Sequence, residues 1–359
     1  MDFGVFMPSA RNGYIVSTAA PQYSPSYKLM NEITDAAEEN GFKFALSLVT
    51  LRGFGGPTRT WDDAFESFTL MSGLAPVTEN LRLYASVAQL TQHPAVIARM
   101  AMTIDDISGG RFGVNMVTGW QRTEFAAMGL WPGDEYYSTR YDYCREYVTV
   151  MKELWRDGVS NFKGRYFQLE DCRLGPLPEH HIEIVSAGLS DKGVDFIGEF
   201  ADYSFRLGEG GLEGIAANTR KVLEAGRRNG RQVGTYASYY VFVEDTDEEA
   251  RRTVERYREN ADGEAIRTMQ GEAGADTAGT TSKAIVDRDG TFMSTDVIAG
   301  SPETVAAYFD RLAEVEGLDG VMLCFDDYVR GINRIGKEVA PLMRSRSAAA
   351  AVGSSGTPA

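Results

Sequence analysis

The chain has 359 residues, enough for one large domain or two ordinary ones. Its 36 Lys and Arg against 51 Asp and Glu leave a net charge of −15, and such a surface repels phosphate backbones, so no nucleic-acid partner is expected. Hydrophobic residues make up 43%, sufficient for a sizeable core, and no run of about 18 apolar residues occurs, so no transmembrane helix and no membrane partner are expected.

Strand-like and helix-like segments alternate along the chain. Asp2–Pro8 is a short apolar run ending in a Gly- and Pro-containing loop, which predicts a buried strand. A helical period follows over Tyr27–Asn40 and stops at Gly41. Phe44–Val49 reads as a second strand, Trp61–Leu74 as a helix, and Leu81–Leu90 as a third strand. Pro94 opens a helix to Ile107, and Arg111–Thr118 is a fourth strand. The long helical stretch Ser138–Asp157 precedes a strand at Ile182–Ala187 and a helix at Ser190–Phe200. Tyr203–Leu207 and Thr235–Val243 read as strands, each followed by a helix, at Leu212–Asn229 and Asp247–Asn260. A helix at Pro302–Val315, a strand at Val321–Phe325 and a closing helix at Tyr328–Met343 complete the pattern.

Eight β/α repeats without a break in composition predict a parallel sheet closed into a (β/α)8 TIM barrel over residues 1–346. A Rossmann fold would need GxGxxG after the first strand, where Ser9-Ala10-Arg11-Asn12-Gly13 stands instead. Residues 261–300, rich in Gly, Thr, Ala and Asp, predict a long insertion before the last β/α unit, of the kind that forms a lid. The small, polar residues 347–359 are expected to be a disordered tail.

Cys144, Cys172 and Cys324 are too few for a disulfide framework, and His93, His180 and His181 have no metal-binding spacing, so no metal is expected. The N-terminus enters a strand directly, without a basic region and long apolar stretch, so a cytoplasmic location is expected.

In a barrel, chemistry gathers where the strands end at their C-terminal side. Ser186-Ala187-Gly188-Leu189-Ser190 is a small turn into a helix start, where free N–H groups and the helix dipole favour a phosphate; Ser190 reads as either a plain N-cap or a phosphate donor. Asn115 lies in an otherwise apolar strand and either pairs with backbone or faces a ligand. Arg140 and Tyr141 open a helix, where Arg either clamps a phosphate or is solvated. Trp120 reads as a wall for a flat ligand or as core, and Glu124 as a ligand partner or a surface residue.

The run Ile104-Asp105-Asp106-Ile107-Ser108-Gly109-Gly110-Arg111-Phe112 resembles the bacterial-luciferase-like flavin monooxygenases. Further stretches, among them Leu51-Arg52-Gly53-Phe54-Gly55-Gly56, Val117-Thr118-Gly119-Trp120-Gln121 and Trp131-Pro132-Gly133-Asp134, are similar to the branch of that family that opens pyrimidine rings. The resemblance implies FMN contacts at Val49, Thr50, Asn115, Glu124, Arg140, Tyr141 and Ser190, and an oxygen pocket of Leu46, Ser86, Asn115 and Trp120. It also implies reduced FMN delivered by an NAD(P)H-dependent flavin reductase, O2 as co-substrate, and oxidative opening of uracil or thymine through a flavin peroxide. By analogy with the family, a homo-oligomer is expected. Three positions depart from the family. Ser86 stands where the family has Thr, and Gln92 and His93 precede Pro94 where it has apolar residues, which places Gln92 and His93 near the expected substrate mouth. Another N-heterocycle (barbiturate, pyridine, an isoalloxazine), a sulfonate or a sulfone remains open as substrate. A deazaflavin-dependent oxidoreductase and a non-catalytic flavin-binding protein remain open as functions.

Overall fold

A computed structural model describes residues 1–188, 190–276, 290–293 and 295–346. The expected disordered tail, 347–359, lies outside the described residues, as do 277–289 and Ser294 of the expected insertion.

Eight parallel strands close on themselves. They are β1 (Asp2–Met7), β2 (Phe44–Ser47), β3 (Arg82–Ala88), β4 (Phe112–Val117), β7 (Glu183–Ser186), β8 (Tyr203–Leu207), β9 (Gly234–Val243) and β11 (Leu318–Cys324). Each of the eight expected strands is present, within a few residues at its ends. Closure comes from β11 lying parallel to β1, with Asp2 opposite Gly320 and Val5 opposite Leu323. Between β4 and β7 a two-residue antiparallel pair, β5 (Val159–Ser160) and β6 (Cys172–Arg173), stands apart from the barrel.

Helices α1 (Tyr27–Glu39), α2 (Ser67–Leu74), α3 (Pro94–Ser108), α4 (Arg122–Ala126), α5 (Tyr136–Asp157), α6 (Asp191–Phe200) and α7 (Gly211–Arg228) follow in order. They continue with α8 (Asp247–Glu259), α9 (Gly263–Gly274), α10 (Pro302–Leu312) and α11 (Tyr328–Arg334). Caps set many of their starts. Ser26, Glu66, His93, Ser190, Thr246 and Ser301 each accept a backbone N–H of the first turn.

The structure corrects three boundaries. The helix expected over Trp61–Leu74 begins only at Ser67. Trp61 adopts a left-handed backbone (φ 62°), its indole N–H donates to the Gly13 carbonyl at 2.6 Å, and Glu66 caps the helix beyond. The closing helix is regular only over Tyr328–Arg334, then widens to a π turn at Ile335–Val339 and tightens to a 3-10 turn at Ala340–Leu342. The stretch 261–300 is not wholly irregular. It holds α9, capped by Asp262, and β10 (Val297–Gly300), a ninth strand. β10 pairs with the upper end of β9, Tyr240–Val243, beyond the segment of β9 that pairs with β8 up to Ser238.

Two apolar layers hold this arrangement. The larger lies between strands and helices, for instance Val5, Ala45, Leu83 and Val114 against Ile33, Met71, Ile97 and Val148. The smaller fills the barrel with Phe44, Leu46, Tyr84, Val185, Phe205, Tyr236 and Met322. Phe44 packs against Tyr236 with ring centroids 4.3 Å apart and planes tilted by 39°, and meets Tyr84 edge-on at 5.9 Å. Gly4 makes room for this ring, because a Cβ there would run into Phe44. Gly4→Ala is therefore expected to lower stability by about 1–3 kcal/mol through overpacking, read as a fall in the urea midpoint with an unchanged slope.

Candidate active site

A cavity of about 280 Å3 opens at the C-terminal ends of the strands. Its walls come from β1 (Phe6), β2 (Leu46), β4 and its turn (Asn115 to Trp120), α5 (Arg140, Tyr141), β7 and its turn (Ser186 to Gly188), β8 (Phe205 to Leu207), Ser238 and Met322. Leu46, Asn115, Trp120, Arg140 and Tyr141, all singled out from sequence, line this one space.

Asn115 is buried. The β3–β4 register sets Ser86 beside it, and its Nδ2 donates to Ser86 Oγ at 2.8 Å. Ser86 Oγ donates to the Ser47 carbonyl at 2.6 Å, and the Ser86 N–H donates to Ser67 Oγ at 2.8 Å. Asn115 Oδ1 has no hydrogen-bond partner among the described residues. Ser86 itself does not line the cavity, so it touches the site through Asn115 rather than directly.

The turn after β4 needs Gly119, whose φ is +76° and whose Cβ would lie 2.8 Å from the Phe125 ring. It delivers Trp120 to the wall, stacked on Phe54 at 6.0 Å. Behind Phe54 pack Ala265, Ile266 and Met269 of α9, so the described part of the insertion backs the aromatic wall.

Arg140 is buried. It donates to the Gly119 carbonyl at 2.7 Å and lies 3.5 Å from the Asp276 carboxylate, both side chains almost fully shielded from solvent. Burial raises the pKa of the Tyr141 phenol, although Arg140, Ser190 and Thr118 oppose the rise. Ser190 caps α6 by accepting the Gly193 N–H at 3.3 Å. The turn into α6 is bare. A Cβ on Gly188 would sit 2.7 Å from Gly193, and one on Gly193 would sit 2.6 Å from the Tyr141 hydroxyl. The two glycines thus let the turn and Tyr141 pack closely, and Gly188 lines the cavity at the N-terminal end of α6.

Thr50 and Glu124 meet, although 74 residues apart: the Thr50 hydroxyl donates to Glu124 Oε2 at 3.3 Å and the Leu51 N–H donates to the same oxygen at 3.0 Å. Val49 adjoins them in sequence. None of Val49, Thr50, Glu124 and Ser190 lines the cavity. Burial pushes the Glu124 carboxyl up to about 7, against the lowering effect of these hydrogen bonds.

Gln92 and His93 are placed elsewhere. Neither lines the cavity; the Gln92 carbonyl accepts from the Tyr147 hydroxyl at 3.0 Å, while His93 Nδ1 caps α3 by accepting the Ala95 N–H at 3.2 Å and its ring meets Phe167 edge-on. The His before Pro94 is thus occupied by helix initiation.

One residue escaped the sequence reading. Arg206 on β8 is buried at the cavity wall and donates to the Gly188 carbonyl at 2.6 Å, while its Nε has no partner. Desolvation lowers its pKa, with Glu209 and Tyr141 opposing. The available signal was a charged residue inside the apolar run Tyr203–Leu207, the same argument that drew attention to Asn115.

Residues 1–319 match the family described as luciferase-like monooxygenase, and the chain belongs to that family. Within it, the Variovorax paradoxus (strain S110) protein named Pyrimidine monooxygenase RutA is 47% identical over 352 residues, spanning 96% of this chain and 95% of its own. The protein of the same name from Bradyrhizobium sp. (strain BTAi1 / ATCC BAA-1182) is 48% identical over 355 residues, 97% of this chain and 98% of its own. Among solved structures, riboflavin lyase (RcaE), titled as carrying modified FMN and riboflavin, superimposes with a TM-score of 0.83 at 19% identity, over 97% of this chain and 92% of that one. Long-chain alkane monooxygenase (LadA) does so at 0.81 and 20%, with the same coverage. These two share the barrel.

The environment of Glu124 makes a pH prediction. Its folded-state value, about 7, exceeds its ordinary 4.5, so between those values the folded chain keeps a proton that the unfolded chain releases. The stability due to the neutral carboxyl is complete below pH 4.5 and is lost as pH rises through 7. Glu124→Gln, which retains an oxygen for the Leu51 N–H, is expected to match the native protein at pH 4 and to exceed it by up to about 3 kcal/mol at pH 8. Denaturant midpoints across pH measure this, and a pH-independent difference would refute it.

Proposed function

We propose that the chain is a two-component FMN-dependent monooxygenase that oxidatively opens a pyrimidine ring, uracil or thymine, to a ureidoacrylate product. The observation that carries this reading is the rim cavity. Among the described residues it holds a buried amide oxygen without a partner, at Asn115, and a buried guanidinium with an unpaired N–H, at Arg206 beside the α6 N-terminus. The relatives named pyrimidine monooxygenase point to the same reaction.

These groups suit FMN. Leaving a buried polar atom unmet costs about 1–3 kcal/mol, which a ligand with matching groups returns. Arg206, Ser190 and the bare turn at Gly188 would take the phosphate, with Tyr141 fixing the turn. Leu46, Trp120 and Asn115 would face the ring system and the oxygen bound beside it. Val49, Thr50 and Glu124 would close the far side of the rim.

When bound, reduced FMN, delivered by an NAD(P)H-dependent flavin reductase in the cytoplasm, would supply the electrons that activate O2. The protein's part is to orient and to shield. Phe6, Leu46, Phe205 and Met322 exclude water from the reacting carbon next to a ring nitrogen, where oxygen is inserted and the C–N bond breaks. Trp120, backed by α9, holds the flat substrate against that surface. The Arg140–Asp276 pair would fasten the described start of the insertion to the cavity wall, in keeping with a lid.

The test is aerobic incubation with FMN, NADH, a flavin reductase and uracil, thymine, barbiturate or an alkanesulfonate, followed by mass analysis under 18O2. Labelled ring-opened product from uracil or thymine is expected. Oxygenation of the sulfonate alone, or product without label, would overturn the proposal. Asn115→Ala is expected to keep its affinity for oxidised FMN and to lose turnover on the order of 10²-fold; normal turnover in that variant would remove Asn115 from the site's chemistry.

A further inference from the structure

The hydrogen bonds beneath Asn115 fix which end of its amide is tied to Ser86 and which is left over. Ser47 contributes a carbonyl oxygen, which can only accept. The single proton of the Ser86 hydroxyl therefore lies along the 2.6 Å contact to that carbonyl. Ser86 is held from its other side as well, since its N–H donates to Ser67 Oγ at 2.8 Å. What Ser86 Oγ offers Asn115 is a lone pair, and an amide oxygen there would set acceptor against acceptor. The group at 2.8 Å is accordingly Nδ2. Oδ1 is left pointing away, buried and unpartnered, in a residue that lines the cavity.

From this we infer that Ser86 and Ser67 are positioning residues that lock Asn115 as a hydrogen-bond acceptor, so that the cavity wall selects a ligand carrying an N–H at that point. The inference rests on the flavin monooxygenase reading and adds the polarity of one contact to it. Two N–H donors come with that reaction: the N5–H that reduced flavin carries and oxidised flavin lacks, and the ring N–H of a pyrimidine. The lock predicts discrimination against whichever ligand lacks the donor, and it predicts that loss of the Ser86 hydroxyl erases the discrimination by letting the amide turn.

Two measurements separate the sources. In the first, affinities for oxidised FMN and for dithionite-reduced FMN are measured anaerobically, together with the midpoint potential of bound FMN. In the second, KM and kcat are compared for uracil, 1-methyluracil and 3-methyluracil. If the donor is the flavin, the native protein binds reduced FMN about tenfold or more tightly than oxidised FMN. The potential of the bound couple then rises by about 30 mV for each factor of ten. If the donor is the pyrimidine, one methylated uracil loses about tenfold or more in KM while the flavin ratio stays near one. In either case Ser86→Val removes the preference and Ser86→Thr, which keeps the hydroxyl, retains it. Should Ser86→Val fail to fold, Ser86→Ala makes the same deletion without added bulk.

The inference is overturned if the native protein shows neither preference, or if the preference survives loss of the hydroxyl. Failure to bind FMN in either redox state would instead sink the functional reading, so the two failures are told apart by the first titration.

Discussion

Everything at the rim depends on the ladder between β1 and β11. Residues 2–5 pair with residues 320–323, and only that pairing turns an open parallel sheet into a closed one. Closure aims the C-terminal ends of all eight strands at one circle, so that Phe6, Leu46, Asn115, Ser186, Phe205 and Met322 meet although they are spread over more than 300 residues of sequence. A parallel sheet left open would present two unpaired edges and no shared mouth.

The barrel interior is packed solid in its lower part with Phe44, Tyr84 and Tyr236, and the space opens only above them. This division gives the cavity a rigid apolar floor and confines its polar atoms to the rim. Those polar atoms differ in how well they are met. Thr50 and Glu124 satisfy each other, while Arg140 has Gly119 and Asp276. Asn115 Oδ1 and Arg206 Nε, by contrast, have no hydrogen-bond partner among the described residues.

The barrel was legible in the sequence because buried parallel strands are short apolar runs, and eight of them alternate with amphipathic helices. Boundaries failed where tertiary contacts overrode pattern. Trp61 looked helical but is held in a left-handed turn by its indole bond to Gly13. The insertion hid α9 behind Gly and Ala content, although Ala265, Ile266, Met269 and Ala273 carry a helical period onto one buried face. In the site, Asn115 was visible as a polar residue in an apolar strand, and Arg206 met the same test unnoticed. The roles of Ser47 and Ser67 were beyond reach, since they depend on strand register and on where α2 starts. His93 caps α3 in the fold, and a helix cap and a ligand contact look alike in one dimension.

The ion pair between Arg140 and Asp276 has a consequence for how this barrel can diverge. A buried guanidinium stripped of its carboxylate costs about 3–5 kcal/mol, so shortening or replacing the segment that carries Asp276 is tolerated only together with a change at residue 140. Positions 136 residues apart in the chain are thereby bound to one evolutionary fate, and loop-swapping between homologous barrels should respect them as a unit.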